Sequence, residues 1–553
     1  MSTVRAMHPA GSRYGVRPTR RTVLGTGLAA AATLVGFDWR RTLDAVAAGL
    51  LRAPGVLPDP SRPPGTPDPS IPIDHVVIVM MENHSFDAYL GMLPHVAGGR
   101  PAVDGLTVDS GGTVLNYNPA GPQGFIRSFH MPSSCQMESN PSQAWTATHL
   151  SVNGGRMDGF VLAPQCGDVS MGFWDQSDIP FYYSLASIFP PANRWFASAP
   201  AQTYPNRRFL YAATAYGLVA TITPGPNDPG PPNGTIFDRL NTYGITWTNY
   251  ATDLPEIAII PSVLKNNPTH VAPIAKFYTD AAAGTLPNVS LVNPDFDVVD
   301  AIGSLPPNSP VPPSVRANGQ DEENPANVNY GESFVAGVVN AVMQSPHWTQ
   351  RNIMLIWCYD EHGGYYDHVH SPAAVAPDTI PPQLGPTDVP GGYDIYGVRV
   401  PAVVVSPWSR SNYVSNAVHD HTSILAFIET KWNLAPMTLR DANADDLLDF
   451  FDFSAPGFAT PPALASPRNP AQTDLTCSTA DPNRPVEAYP GGQRPGGIPS
   501  ILPGGPATTV PDVPLLGVLG AGGALASWAA RRYAMLSNAH DGRGRRDRLG
   551  MGR

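Results

Sequence analysis

At 553 residues the chain is long enough for several domains, but only 14% of it is charged and 63 residues are proline, which describes a loop-rich protein with many irregular connections. A net charge of −11 and the lack of a basic stripe interleaved with aromatics argue against nucleic acid as a partner, because a phosphate backbone demands concentrated positive charge. Four cysteines are too few for a disulfide scaffold and none shows metal-type spacing; Cys135 and Cys166 flank a loop-rich stretch and are expected to be able to pair, while Cys358 sits in an apolar run as a small hydrophobe.

Residues 1–47 hold paired arginines ahead of a short run of small apolar residues, 19-TRRTVLGTGLAAAATLVG-36, the pattern of a twin-arginine export leader. Residues 48–70 are Pro-rich and are expected to be an extended linker. The folded body is expected over 71–454. In it, His75–Met81 is a continuous apolar run suited to a strand buried on both faces. Weaker or similar runs follow at Pro287–Val292, Ile353–Cys358 and Val400–Val405. Between them Glu332–Gln344 and Thr422–Trp432 carry apolar residues at helical spacing. Strand, helix, strand, helix predicts an α/β domain with a mostly parallel sheet covered on both sides. Residues 455–512 are again rich in Pro and Gly and are expected to form a stalk. Residues 513–532 are apolar enough to be expected as a C-terminal transmembrane helix, and 533–553 form a basic tail that the positive-inside rule assigns to the cytoplasm. The body would then face outward, as an exported, membrane-anchored cell-surface protein.

Ligands of an open parallel sheet gather at the carboxyl ends of its strands. Here the first apolar run ends in Glu82-Asn83, and the run 352–359 ends in Asp360-Glu361-His362-Gly363-Gly364. If those strands are neighbours, three carboxylates and one amide oxygen share a spot, and a cation is needed to hold them there. Hard oxygen donors suit Ca²⁺, Mg²⁺ or Mn²⁺, and nearby histidines leave Zn²⁺ or Fe open. The competing reading makes Glu82 and Asp360 simple caps of the helices that follow. A third piece is 201-AQTYPNRRFLYAATA-215, in which Thr203 stands at the start of a helical stretch, where a hydroxyl can be aimed at a ligand or can merely cap.

Five motifs occur in order: Glu82-Asn83-x-Ser85-Phe86-Asp87, Asn153-Gly-Gly-x-Met157-Asp158, Thr203-x-Pro205-Asn206-Arg207, Asp360-Glu361-His362-Gly-Gly-x-x-Asp367-His368-Val369 and Asp420-His421. Together they resemble the bacterial phosphoesterase family of phospholipases C and acid phosphatases, over roughly 71–454. The resemblance implies an alkaline-phosphatase-like α/β sandwich. It implies a divalent metal ion on Glu82, Asn83, Asp360 and Glu361, with Thr203 as nucleophile and further ligand. It implies His149, His368 and His130 as catalytic groups, and Asn206, Arg207 and His421 as substrate contacts. Phosphate esters, phospholipid among them, are the substrates it implies.

The chain departs from that pattern at Asn324 and Gln143, where histidines are expected, and at His84, Ala88 and His370-Ser371. Three functions compete. A phospholipase C needs an apolar rim that meets lipid, which Trp174, Phe181, Tyr182 and Tyr183 would supply unless they are core. A broad-specificity acid phosphatase needs none. A non-catalytic surface binder on the same scaffold is favoured by the missing histidines and opposed by the complete set Glu82, Asn83, Thr203, Asp360 and Glu361. A sulfatase is a poor fit, since Thr203 cannot become the aldehyde nucleophile of that class.

Overall fold

A computed structural model describes residues 51–469 apart from 122–123, 136–140, 226–227, 297–305, 307–318 and 324–325. The export leader, the greater part of the expected stalk, the segment 513–532, the basic tail and Asn324 lie outside the described residues. No helix among the described residues is long and apolar enough to cross a membrane.

The elements that position the site are, in chain order, β1 (His75–Met81), α1 (Trp145–Val152), α2 (Thr203–Ala212), β2 (Trp247–Ala251), β3 (Val271–Pro273), α3 (Ile274–Ala283), β4 (Val289–Asn293), α4 (Val328–Gln344), β5 (Ile353–Tyr359), β6 (Ala402–Val405) and α5 (His421–Trp432). The six strands form one sheet in the order β6-β5-β1-β4-β2-β3. Every neighbouring pair is parallel except β5–β6. The fold is therefore α/β with a mostly parallel sheet, as the alternation of apolar runs implied. Both alternating sets of side chains in β5, and all of β1 after His75, are buried, so the sheet is covered on both faces. On these covers α3 packs with α4, and α2 with α5.

Residues His75–Met81 pair one-to-one with Ile353–Tyr359, so the two strands end side by side. The amide of Asp360 donates to the carbonyl of Met81 at 3.1 Å, just past the last ladder pair. That register is what brings Glu82 and Asp360 out of the sheet at one place. β2 and β3 were not legible in the sequence: WTNYA mixes polar and apolar residues, and VAP is a three-residue edge strand ending in proline, which can donate nothing to a ladder.

Three expectations change. The Pro-rich stretch before the body is not a free linker over its described part: Asp59 N–H donates to Asn433 Oδ1 at 2.9 Å, and Asn433 Nδ2 donates back to Asp59 and Arg62 carbonyls. Asn433, with φ of 50°, ends α5 in the left-handed conformation and carries this strap. Likewise the first residues after 454 lie on the body, with Ala465 N–H on Ser184 Oγ and Arg468 N–H on Glu332 Oε2. Cys166 is a free thiol, so it is not the partner of Cys135, which is disulfide-bonded.

Candidate active site

The turn after β1 runs Glu82-Asn83, and Asn83 adopts a φ of 69°. Asparagine tolerates that left-handed geometry better than most residues. The turn after β5 closes onto it. Asn83 N–H donates to Asp360 Oδ1 at 3.2 Å, and Glu361 N–H donates to the same oxygen at 2.7 Å. Gly363, at φ of 60°, brings its backbone so close that a Cβ there would lie 2.0 Å from the Asn83 carbonyl oxygen. Only glycine allows the two turns to interlock.

Thr203 is the first residue of α2, and its Oγ1–H donates to Glu82 Oε1 at 2.9 Å. The turn before it is pinned by Asn206, whose Oδ1 accepts from Ala199 N–H while its Nδ2 donates to carbonyls of Ala199 and Ala201. Asn206 is thus a positioning residue for Thr203 and not the substrate contact the resemblance implied; its donors and acceptor are engaged with backbone. Arg207, one position on and 1% exposed, reaches three carboxylates: Nη1 to Glu256 at 2.6 Å, Nε to Asp360 at 3.0 Å and Nη2 to Glu82 at 3.7 Å. Burial works against its charge, but Glu256, Asp360 and Glu82 outweigh that and hold it protonated. Its guanidinium neutralises the protein's own acids, and it also lines the cavity described below.

One arginine does not balance this cluster. Asp321 and Glu323 belong to it as well: with Glu82 they offer carboxylate oxygens within 4.8 Å of one another. The Asp321 carbonyl accepts from Glu82 N–H at 3.0 Å, which draws the segment 319–323 alongside the end of β1. Burial first, then Glu323 and Asp360, push the Glu82 carboxyl well above the usual range. Burial, then Glu82 and Glu323, do the same to Asp321. Burial and then Asp360 raise Glu361. Asp360 is raised by burial too, opposed mainly by Arg207. Among these acids sit buried oxygens with no hydrogen-bond donor, namely Asn83 Oδ1, Glu361 Oε1 and Asp321 Oδ2. Orphaned hard-oxygen donors beside crowded carboxylates fit a bound cation, which would satisfy the oxygens and cancel the repulsion together.

A cavity of about 610 Å³ opens on this cluster. Thr203, Glu82 and Arg207 line it together with polar side chains (Ser142, Gln143, Gln165, Gln202) and apolar ones (Ile222, Leu254, Ile259, Phe296). Gln143, standing where a histidine was expected, does line it.

The four histidines are elsewhere. His368 places Nδ1 on Asp87 at 2.7 Å and Nε2 on Asp104 at 3.1 Å, in a cluster completed by Asp367 and Arg399. Asp87 is the chief reason its pKa rises to about 9 despite burial. His130 Nε2 is bound to Asp178 at 2.5 Å, and His149 donates from Nδ1 to the Trp145 carbonyl at 2.7 Å within α1. None of the three lines the described cavity, so the structure does not bring them to Thr203 as the resemblance implied. His421 is fully buried: Nε2–H donates to the Asp360 carbonyl at 2.7 Å and Nδ1 accepts from Trp195, so it braces the Asp360 turn, and it is not among the residues that line the cavity. Burial lowers its pKa to about 4, which keeps the ring neutral in that role.

Asp321, Glu323 and Glu256 were missed in the sequence. The run 320-QDEE-323 lies in a loop with no strand to point it anywhere, and Glu256 follows a polar stretch; only the excess of acids in an otherwise charge-poor chain hinted at them.

Residues 73–435 match the phosphoesterase family. The chain belongs to that family. Among relatives of this phosphoesterase, the non-specific phospholipase C1 of Arabidopsis thaliana is 30% identical over 406 residues, covering 69% of this chain and 71% of the relative. The non-hemolytic phospholipase C of Pseudomonas aeruginosa is 28% identical, covering 69% of this chain and 58% of the relative. Phospholipase C B of Mycobacterium tuberculosis is 28% identical, covering 72% and 81%. A solved structure from Vibrio parahaemolyticus, of a protein in the alkaline phosphatase superfamily, is similar at a TM-score of 0.29 and 11% identity, covering 60% of this chain and 72% of that one. That likeness is too slight to add to the fold, which rests on the strand order above. As a phosphoesterase, the protein is a hydrolase acting on phosphoric ester bonds.

Proposed function

We propose that the phosphoesterase is a metal-dependent hydrolase of phospholipase C type that uses Thr203 as its nucleophile. The observation that carries the reading is the hydrogen bond from the Thr203 hydroxyl to Glu82 in the lining of a cavity with more carboxylates than cations. Glu82 Oε1 accepts the hydrogen bond of the Thr203 hydroxyl and takes its proton. The Thr203 oxygen then bonds to phosphorus as the bond to the leaving alcohol breaks, and the departing alkoxide takes a proton from water. Water later cleaves the phospho-threonine and restores the hydroxyl. The N-terminus of α2 lies behind Thr203, and its peptide dipoles favour negative charge on the phosphoryl oxygens.

Glu82, Asn83 and Glu361, with Asp321 and Glu323 beside them and Asp360 behind, would hold the divalent ion. Such an ion supplies the charge that stabilises an alkoxide and neutralises phosphoryl oxygens. An all-oxygen set without histidine favours Ca²⁺, Mg²⁺ or Mn²⁺ over Zn²⁺ or Fe.

Phospholipase C is supported by the relatives, which are named phospholipases C, and by a cavity lined by both polar and apolar side chains. Turnover of p-nitrophenyl phosphorylcholine and of p-nitrophenyl phosphate, with and without chelator, tests this. Hydrolysis of the choline diester that chelation abolishes supports it. Hydrolysis of the monoester alone returns the acid phosphatase reading, and no turnover of either with metal present returns the surface binder. The leader-like residues 1–47 support placing the enzyme outside the cytoplasm, which fractionation of cells carrying a tagged full chain checks.

A further inference from the structure

The aromatics expected to form a lipid-facing rim do not. Trp174, Phe181, Tyr182 and Tyr183 are wholly or almost wholly buried, and Tyr182 stacks on Trp357 of β5 at 4.3 Å. A different apolar surface takes their place. Five of the eight large hydrophobic residues exposed among the described residues fall between 115 and 162: Leu115, Tyr117, Phe125, Leu150 and Leu162. Tyr117, Phe125 and Leu162 are each more than half exposed, at 58%, 54% and 58%. Random scatter over this chain would not concentrate them so.

They are also joined in space. Tyr117–Pro119 and Phe125–Arg127 form an antiparallel pair, in which Asn118 points inward and is fully buried while Tyr117 and Phe125 meet on the outer face with ring centroids 5.5 Å apart. The inward Asn118 ties this ribbon to the next segment: its Nδ2 donates to the Met157 carbonyl at 3.0 Å and its Oδ1 accepts from Phe160 N–H at 2.8 Å. That segment is in turn held to α1 by Gly159 N–H on the Ser151 carbonyl, and Leu162 N–H bonds to the Gly159 carbonyl. Leu150, on α1, is the neighbour of that contact.

The surface is continuous along the chain with residues that line the cavity. Ser142, Gln143 and Ala144, which line the cavity, lead directly into α1, and Gln165 lines it three positions after Leu162. Cys166 Sγ–H on the Ser142 carbonyl, at 3.6 Å, joins those two edges. Two cations stand on the same surface, Arg127 over the Phe125 ring at 5.6 Å and Arg156, whose side chain is 65% exposed and pairs with the half-exposed Asp158 at 3.4 Å, in a chain whose net charge is −11. Aromatic rings with an apolar body, leucines and arginines are the side chains that settle into the headgroup layer of a bilayer, with the cations meeting lipid phosphates.

We infer that the surface built from Leu115, the ribbon of Tyr117–Pro119 and Phe125–Arg127, Leu150 and the 157–162 segment docks on a phospholipid bilayer, setting the mouth of the Thr203 cavity against the headgroups. The inference rests on the phospholipase C reading for its purpose, but not for its test. Amide hydrogen exchange of the full chain is measured with and without phosphatidylcholine vesicles containing phosphatidylglycerol. Vesicles are expected to protect 115–127 and 148–164, whatever other segment holds the protein to the membrane. A double variant, Tyr117→Ser with Phe125→Ser, is expected to lose that protection and about tenfold of its turnover on long-chain lipid in vesicles. Its turnover of a short-chain, monomeric phosphodiester stays at the wild-type level, because neither residue lines the cavity. Unchanged exchange in 115–127 and 148–164 overturns the inference, as does a variant that protects and turns over vesicle lipid like the wild type. If the wild type hydrolyses neither substrate, the phospholipase reading falls while the exchange result still decides the surface.

Discussion

Two buried ionic clusters lie beyond the carboxyl ends of β1 and β5, and they differ in one respect. Around Arg399, donors and acceptors match: Nε binds Asp367, Nη2 binds Asp87 at 2.9 Å, Nη1 donates to the Asp104 carbonyl, and His368 binds Asp87 and Asp104. Around Thr203, one guanidinium faces Glu82, Glu256 and Asp360, with Asp321, Glu323 and Glu361 beside them, and three oxygens have no donor. A cluster that satisfies itself holds the fold together. A cluster left with surplus charge and orphaned acceptors is unstable by itself and marks where something binds.

The sharpest way to break this contrast is Thr203→Ala, which removes one hydroxyl from the unbalanced cluster. Turnover of p-nitrophenyl phosphorylcholine is expected to fall by about 10⁴-fold with the melting temperature nearly unchanged. Retained turnover would end the nucleophile assignment. The opposite pattern is expected from Arg399→Met: loss of about 3–5 kcal/mol in denaturant unfolding, because Asp87 and Asp367 are left buried and unpaired. If that variant is as stable as the wild type, the matched cluster does not hold the fold.

Smaller effects refine the comparison. Adding divalent ion at a hundredfold excess over its dissociation constant should stabilise the chelated protein by about 2.7 kcal/mol in calorimetry. Glu361→Gln should abolish most of that gain. An ion that stabilises the Glu361→Gln variant as much as the wild type would place the metal elsewhere. The His368 pKa is raised from 6.5 to about 9, so its ion pair with Asp87 contributes fully below pH 6.5 and is lost as pH rises through about 9. Comparing His368→Asn with the wild type should show a deficit of about 2 kcal/mol at pH 6 that shrinks towards pH 10. A pH-independent deficit would mean that the ring contributes by packing and not by charge. The smallest effect is that of Asn83→Gly, which keeps the left-handed φ of 69° and removes an amide with no hydrogen-bond partner, so unfolding should change by less than about 1 kcal/mol while metal affinity drops.

Much of this could be read in advance because it is local. Continuous apolar β-branched runs can only be strands covered on both faces, so β1 and β5 were visible, and the acids at their ends followed. Helices α4 and α5 betrayed themselves by period. Thr203 stood at a helix start that sequence alone could place. What stayed hidden was pairing across the chain. His368 and His421 lie in the motifs and His130 and His149 outside them, yet the fold turns their rings to Asp87, the Asp360 carbonyl, Asp178 and the Trp145 carbonyl.

The sequence by itself determined the class of sheet, the order of its chemistry-bearing turns and the excess of acid over base. The tertiary structure decided which acids meet. The one-to-one register of β1 with β5 sets Glu82 beside Asp360, and the Asp321 carbonyl on Glu82 N–H recruits a loop that no local pattern points there. The physical reason is that periodicity records which face a residue turns to the core, whereas the partner across that core depends on ladder register and loop closure, which are long-range properties.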